Sequence, residues 1–179
     1  VFGAPSVAFA VLPTLVSSRT HGYAVVFAGA VGGLTLGAGV VIQPLARRLD
    51  RVGDARGATV GLVAVTAGLL LAALAAHTLN LVVVVVAASL LGIGYGLGLV
   101  SGLVEVQRIA APSELAGLSA VFYVFTYLGF AIPVVLAHLT GLAGYPTLLI
   151  ALAVLAAISL VVVRTQAPRR AVTPVPPNG

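Results

Sequence analysis

The sequence contains no cysteine. Disulfide bridges, thiolate nucleophiles and cysteine-ligated metals are thereby excluded, and the redox compartment leaves no mark on the chain. Lysine is also missing: all nine basic residues are arginine. Acids are scarcer still, with four in 179 residues, so charged side chains make up 7% of the chain, against about 25% in an ordinary soluble domain. Thirteen charges cannot clothe a soluble core of this size when 60% of the residues are hydrophobic. The solvent that suits such a composition is lipid. The net charge of +5 lies between apolar runs rather than on one basic face, which argues against a nucleic-acid partner. No basic stretch precedes the first apolar run, so a cleavable signal is not expected. Methionine is absent and the chain starts at Val1, from which a fragment of a longer protein is expected.

What is present is length without charge. Residues 22–46, 58–76, 81–104, 115–137 and 146–163 hold no Asp, Glu, Lys or Arg, and roughly 17 to 25 such residues cross a bilayer core. In residues 81–104 alone, fourteen are Leu, Val or Ile, which together favour insertion by about 4 to 8 kcal/mol before the Gly, Ser and Tyr residues are set against them. A sixth segment, from Phe2 to Val16, is shorter and carries Pro5 and Pro13, the pattern of a span clipped at its start or broken by proline. The expected fold is therefore an all-α membrane protein of six transmembrane helices, over about 2–17, 22–46, 58–76, 81–105, 115–138 and 146–163. Residues 164–179, with four prolines and three arginines, read as a disordered tail beside the membrane.

Six spans leave both ends of the chain on one side. Arg47, Arg48, Arg51, Arg56, Arg108, Arg164, Arg169 and Arg170 all fall on that side and only Arg19 falls opposite. Positive residues stay inside, so both termini are predicted to be cytoplasmic in a cell membrane, plasma or inner. The same split tests the span count, because one helix more or fewer in the middle would scatter the arginines.

The spans differ with a period of three. The third and sixth, 58–76 and 146–163, hold no aromatic residue and are expected to face lipid. The first, second, fourth and fifth hold all the intramembrane aromatics, together with Gln43, Ser101 and Thr126, polar groups that are unfavourable in hydrocarbon unless they face protein or a wet cavity. Two three-helix repeats, each with two inner helices and one outer, account for the pattern, and nested three-helix repeats are a transporter design. Gly29, Gly33 and Gly37 lie four apart on the second span, and Gly94, Gly98 and Gly102 on the fourth, the interval that lets helix backbones approach for packing.

Charge gathers in one place. The stretch "PLARRLDRVGDARG", residues 44–57, holds four of the nine arginines and two of the four acids. It joins two antiparallel spans across a short turn, where Gly53 can take backbone angles closed to other residues. A positive-inside loop with partly neutralised charge is one reading of it. The order of residues is more particular: it resembles the loop motif of the major facilitator superfamily, which runs glycine, three residues, aspartate, a base, any residue, glycine and further bases. Asp50, Arg51, Gly53 and Arg56 match that motif; Ala46 replaces its first glycine, and Asp54 and Ala55 stand where paired bases are usual. The resemblance extends from Phe2 to Val163 and implies spans seven to twelve of a twelve-span carrier, the C-terminal six-helix half, with the N-terminal half of the same protein as its partner. It further implies that the loop holds the halves together on the cytoplasmic side, with Asp50 facing a helix N-terminus and a loop arginine pairing with Glu105. The residues alone allow another arrangement, a local pair between Glu105 and Arg108 three positions on.

The resemblance implies secondary active transport of a small organic solute by alternating access, with membrane lipid around the bundle. Candidate cavity residues are Gln43, Tyr95, Ser101, Tyr123, Thr126 and Tyr127, whose rings supply apolar walls and whose hydroxyl and amide groups orient a solute. Glu105 sits too near the membrane edge to carry protons, so any coupling carboxylate is expected outside this chain. No cofactor is expected. His21, His77 and His138 all fall in loops on the side opposite the termini, without carboxylates nearby to support a metal. No nucleophile–base order or paired carboxylate site argues for an enzyme, and the "GIGYGLG" of residues 92–98 lies inside a span, where a dinucleotide loop cannot form. Two other readings stay open: a six-span scaffold or subunit that moves nothing, and a half-size carrier working as a homodimer.

Overall fold

The computed structural model describes residues 1–49 and 56–166, and every regular element among them is helical. Helix α1 covers Ala4–Leu15, as one α turn (Ala4–Ser6), a π-helical turn (Val7–Val11) and a second α turn (Leu12–Leu15). Helix α2 runs over Ala24–Val41 and continues past Ile42 as Gln43–Leu49. Helices α3, Arg56–Thr78, and α4, Leu81–Ile109, are uninterrupted. Helix α5 runs over Leu115–Leu128, tightens to a 3-10 turn at Gly129–Ala131 and resumes as Ile132–Leu139; α6 is Tyr145–Gln166. Five of the six are long and apolar enough to cross a membrane, and α1 is shorter.

Local chemistry sets the breaks. Pro13 has no N–H to give the carbonyl four residues back, and the chain answers with the π turn, where the Leu12 N–H reaches the Val7 carbonyl instead. Pro133 does the same to α5, and there the turn tightens so that the Ile132 N–H bonds the Gly129 carbonyl. The sharpest connection lies between α3 and α4. Leu79 takes a left-handed backbone with φ of 52°, and the Asn80 side chain caps α4 by accepting from the Val82 and Val83 amides at 2.8 and 3.4 Å. A cap of this kind contributes about 1 kcal/mol, comparable to the cost of holding a leucine left-handed, about 1 to 2 kcal/mol.

The most extensive helix pairing is α3 on α4. Beside it, α4 lies on α2, α6 on α3 and α1 on α5. Glycine makes the closest crossings possible. A methyl group on Gly92 would overlap the Thr35 carbonyl of α2, and one on Gly96 the Gly39 carbonyl. Where α3 meets α4, a Cβ on Gly61 would stand 3.1 Å from the Gly94 carbonyl oxygen, and one on Gly94 would stand 2.5 Å from Val65 Cγ2. Without a hydrophobic driving force in lipid, such backbone contact is what holds helices together.

Of residues 58–76, expected to face lipid, Val60, Val63, Leu70 and Leu74 form an exposed stripe, while the rest of the helix packs against α4 and α6. Half of the apolar stretch of α3 is buried, against 44% for α4, 17% for α2 and for α6, and 11% for α5. The lack of aromatics in α3 reflects crowding: Gly57, Gly61 and Gly68, with Ala64, Ala72 and Ala75, present a thin face to neighbours on both sides. The aromatic-rich α5 is instead the most exposed helix.

Candidate functional site

Tyr95 stands midway along α4, half-buried, with its ring against the bare face of Gly39: a Cβ there would lie 3.7 Å from Tyr95 Cδ1. Tyr123 and Tyr127 lie one turn apart on α5, 41% and 69% exposed. Tyr95 and this tyrosine pair stand on neighbouring helices, α4 and α5, with the two α5 phenols exposed. Phe122 organises the wall beside them. Its ring fills the space left by Gly102 on α4, meets Phe2 of α1 edge-on at 5.2 Å between centroids, and meets Tyr123 at 5.7 Å.

The other expected cavity residues are placed differently. Thr126 is buried, and its hydroxyl donates to the Phe122 carbonyl of its own helix at 2.9 Å, so it has no hydrogen left for a solute. Ser101 is buried on α4, and Gln43 is half-buried where α2 resumes after Ile42. Thr35, which the pattern of the sequence did not single out, is wholly buried under Gly92 and spends its hydroxyl on the Val31 carbonyl at 2.8 Å. The hydroxyls of Thr35, Thr66, Ser89, Thr126 and Ser159 are committed to backbone carbonyls of their own helices, while the Tyr123 and Tyr127 phenols are exposed.

Of the proposed packing glycines, Gly94, Gly98 and Gly102 stand against Val65, Val1 and Phe122. Gly29, Gly33 and Gly37 do not pack inside this bundle, since a Cβ at any of them would meet nothing within 4 Å among the described residues. The close contacts of α2 come from Gly32, 3.5 Å from Phe9 Cβ on the same measure, and from Gly39. A spacing of four identifies residues on one face of a helix without saying which face meets a neighbour.

At the end of α4, Arg108 grips Glu105 with both arms of its guanidinium: Nη2 lies 2.7 Å from Oε1 and Nε 2.8 Å from Oε2. The pair is open to solvent, with the arginine side chain 57% exposed. Arg56 begins α3 with its side chain exposed, directly before the buried Gly57. Asp50, Arg51 and Gly53, the remaining residues of the loop motif, lie outside the described residues. His21, His77 and His138 are all exposed, and the His138 Nδ1 lies 2.8 Å from the Val134 carbonyl oxygen of its own helix. Among the described residues, no three His, Asp or Glu side chains come together.

Apolar helices of this length, packed against one another, define a multi-pass helical membrane protein. The family model of the Major Facilitator Superfamily matches residues 1–179, and the chain belongs to that family of membrane transporters. No curated protein and no solved structure matched the chain.

Proposed function

We propose that this chain is one six-helix half of a secondary transporter that moves a small organic solute by alternating access, with the phenols of Tyr95, Tyr123 and Tyr127 forming part of the solute-facing wall. The observation that carries the reading is that these phenols come from neighbouring helices, Tyr123 and Tyr127 exposed on α5, within residues 81–104 and 115–137, which hold no charged side chain. The exposed flanks of α2 and α5 leave apolar surface available for a second six-helix bundle, and the N-terminal half of the same protein is the natural occupant. Differential binding of the solute in the two states then shifts their populations. The chain acts as a carrier and not as an enzyme; any coupling proton is carried by a carboxylate of the other half. The cytoplasmic face is the arginine-rich one, in a plasma or inner membrane. There the loop from Asp50 to Arg56 and the Glu105/Arg108 end of α4 form the gate.

Reconstitution of the intact protein into vesicles, with a panel of small organic solutes, tests this. Accumulation or exchange of one of them, weakened by Tyr127→Phe and slowed by Asp50→Asn without loss of insertion, is the expected result. Flux indifferent to both substitutions removes the wall and the gate. The open stripe of Gly29, Gly33 and Gly37 favours a second reading, in which the same face serves assembly, as in a scaffold or a homodimeric half-size carrier. A protein that inserts, self-associates and moves no solute supports that one.

A further inference from the structure

Helices α1 and α5 lie side by side and run in the same direction, since Phe2 faces Phe122 and Phe9 faces Phe130, with ring centroids 5.2 and 6.0 Å apart. Between these two aromatic pairs the backbones touch. A Cβ on Gly129 would stand 2.6 Å from the Phe2 carbonyl carbon and 2.7 Å from the Gly3 amide nitrogen, so neither a side chain nor a water fits at the crossing. It falls at the 3-10 turn of α5. Pro133 has no N–H for the Gly129 carbonyl, and a carbonyl that loses a donor in a membrane must find another.

Part of the replacement comes from the other helix. Ser6 Oγ lies 3.1 Å from the Gly129 carbonyl oxygen and 2.8 Å from the Gly3 carbonyl oxygen of its own helix, and Ser6 is itself 1% exposed. A hydroxyl has one hydrogen, so it serves these two acceptors in alternation or by sharing. Beyond the turn, α5 is lightly held: of Ile132–Leu139 only Leu136 is buried. The α1 side of the crossing is firm, with Ala4, Val7, Ala8, Val11 and Leu12 all in the core.

We propose that Gly129–Ala131 is a hinge in α5 and that the Ser6 hydroxyl is its clasp. Donated to Gly129, the hydrogen holds the arm Ile132–Leu139 against α1. Withdrawn to Gly3, it leaves the Gly129 carbonyl to the Ile132 amide alone, and the arm swings about the turn while α1 stays with the core. The device is independent of which solute the protein moves, and its test requires none.

Because the chain has no cysteine, spin labels can be placed by Ser17→Cys at the far end of α1, Thr140→Cys at the end of the arm and Thr78→Cys at the end of α3. Pulsed electron resonance on the intact protein in lipid nanodiscs, its cysteines elsewhere replaced, then reads the 17–140 and 17–78 distance distributions. Ser6→Ala is expected to broaden the 17–140 distribution and leave 17–78 as it was. Adding Pro133→Ala, which returns an amide donor to the Gly129 carbonyl, is expected to narrow 17–140 again. An unchanged 17–140 distribution in Ser6→Ala overturns the clasp. Broadening of both distances together makes Ser6 a packing residue of the whole bundle and overturns the hinge. Failure of Pro133→Ala to restore the narrow distribution overturns the assignment of the missing donor as its cause.

Discussion

Gly96 of α4 and Gly39 of α2 touch through their backbones, so that a methyl group on Gly96 would overlap the Gly39 carbonyl oxygen. The obstacle is backbone and not the far end of a flexible side chain, so relief requires the two helices to separate. Gly96→Ala is expected to lower stability by about 1 to 3 kcal/mol, the usual range for overpacking. Gly33→Ala, on the same α2 helix but with nothing within 4 Å, should leave the thermal midpoint in detergent nearly unchanged. Equal losses at the two positions would place the crossing elsewhere.

The Glu105/Arg108 pair invites a different expectation. It is bidentate and well aligned, yet both side chains are at least 36% exposed, and an i,i+3 pair in water-like surroundings contributes under about 1 kcal/mol. Arg108→Ala should therefore shift the thermal midpoint by a degree or so and less at high salt. A loss several times larger, persisting in salt, would show that Arg108 is held by more than its neighbour on the helix.

Much of the architecture was legible in the sequence because lipid imposes a coarse rule: long uncharged runs cross, and arginines gather between them. The broken character of α1 followed from Pro5 and Pro13 in the same way. What stayed hidden depends on which face of a helix meets another. The aromatic-free run at 58–76 looked like a lipid-facing surface, yet only one stripe of it is exposed and the rest is packed, because small residues serve crowding as readily as lipid contact. The spacing of Gly29, Gly33 and Gly37 resembled that of Gly94, Gly98 and Gly102, yet only the second set meets neighbours within the bundle. Within the candidate site, Tyr95, Tyr123 and Tyr127 were singled out by residue type, whereas the inward turn of Thr126 and the packing of Phe122 against Gly102 are long-range facts that no local pattern carries.

The division of labour on α5 can be checked by two substitutions one residue apart. Thr126→Val removes a hydroxyl that bonds its own helix, an arrangement close to neutral for helix stability, so transport should continue with unchanged KM. Tyr127→Phe removes an exposed phenol hydroxyl from the proposed solute-facing wall and should raise KM several-fold, since a hydrogen bond contributes about 1 kcal/mol and 1.4 kcal/mol is a factor of ten. Initial rates across a concentration series in vesicles distinguish the two. The reverse order of effects would move the wall from the tyrosine face of α5 to its buried face.

The orientation of the chain is open to direct measurement. The turn from α3 to α4 holds only Leu79 and Asn80 between helices, and the turn from α5 to α6 only residues 140–144, so α3/α4 and α5/α6 must each run antiparallel. Arg48 precedes α3, and Arg164 closes α6 two hairpins later, which puts them at the same end of the bundle, with Arg19 at the other. Single cysteines at positions 48, 164 and 19 therefore report sides without ambiguity in this cysteine-free chain. With a membrane-impermeant maleimide, positions 48 and 164 should react only once the cytoplasmic face is opened, and position 19 in intact cells. Labelling of 48 and 164 from opposite faces contradicts the six-span arrangement itself. Labelling of both from outside preserves the bundle and reverses the proposed gate, moving the Glu105/Arg108 end of α4 to the outer surface.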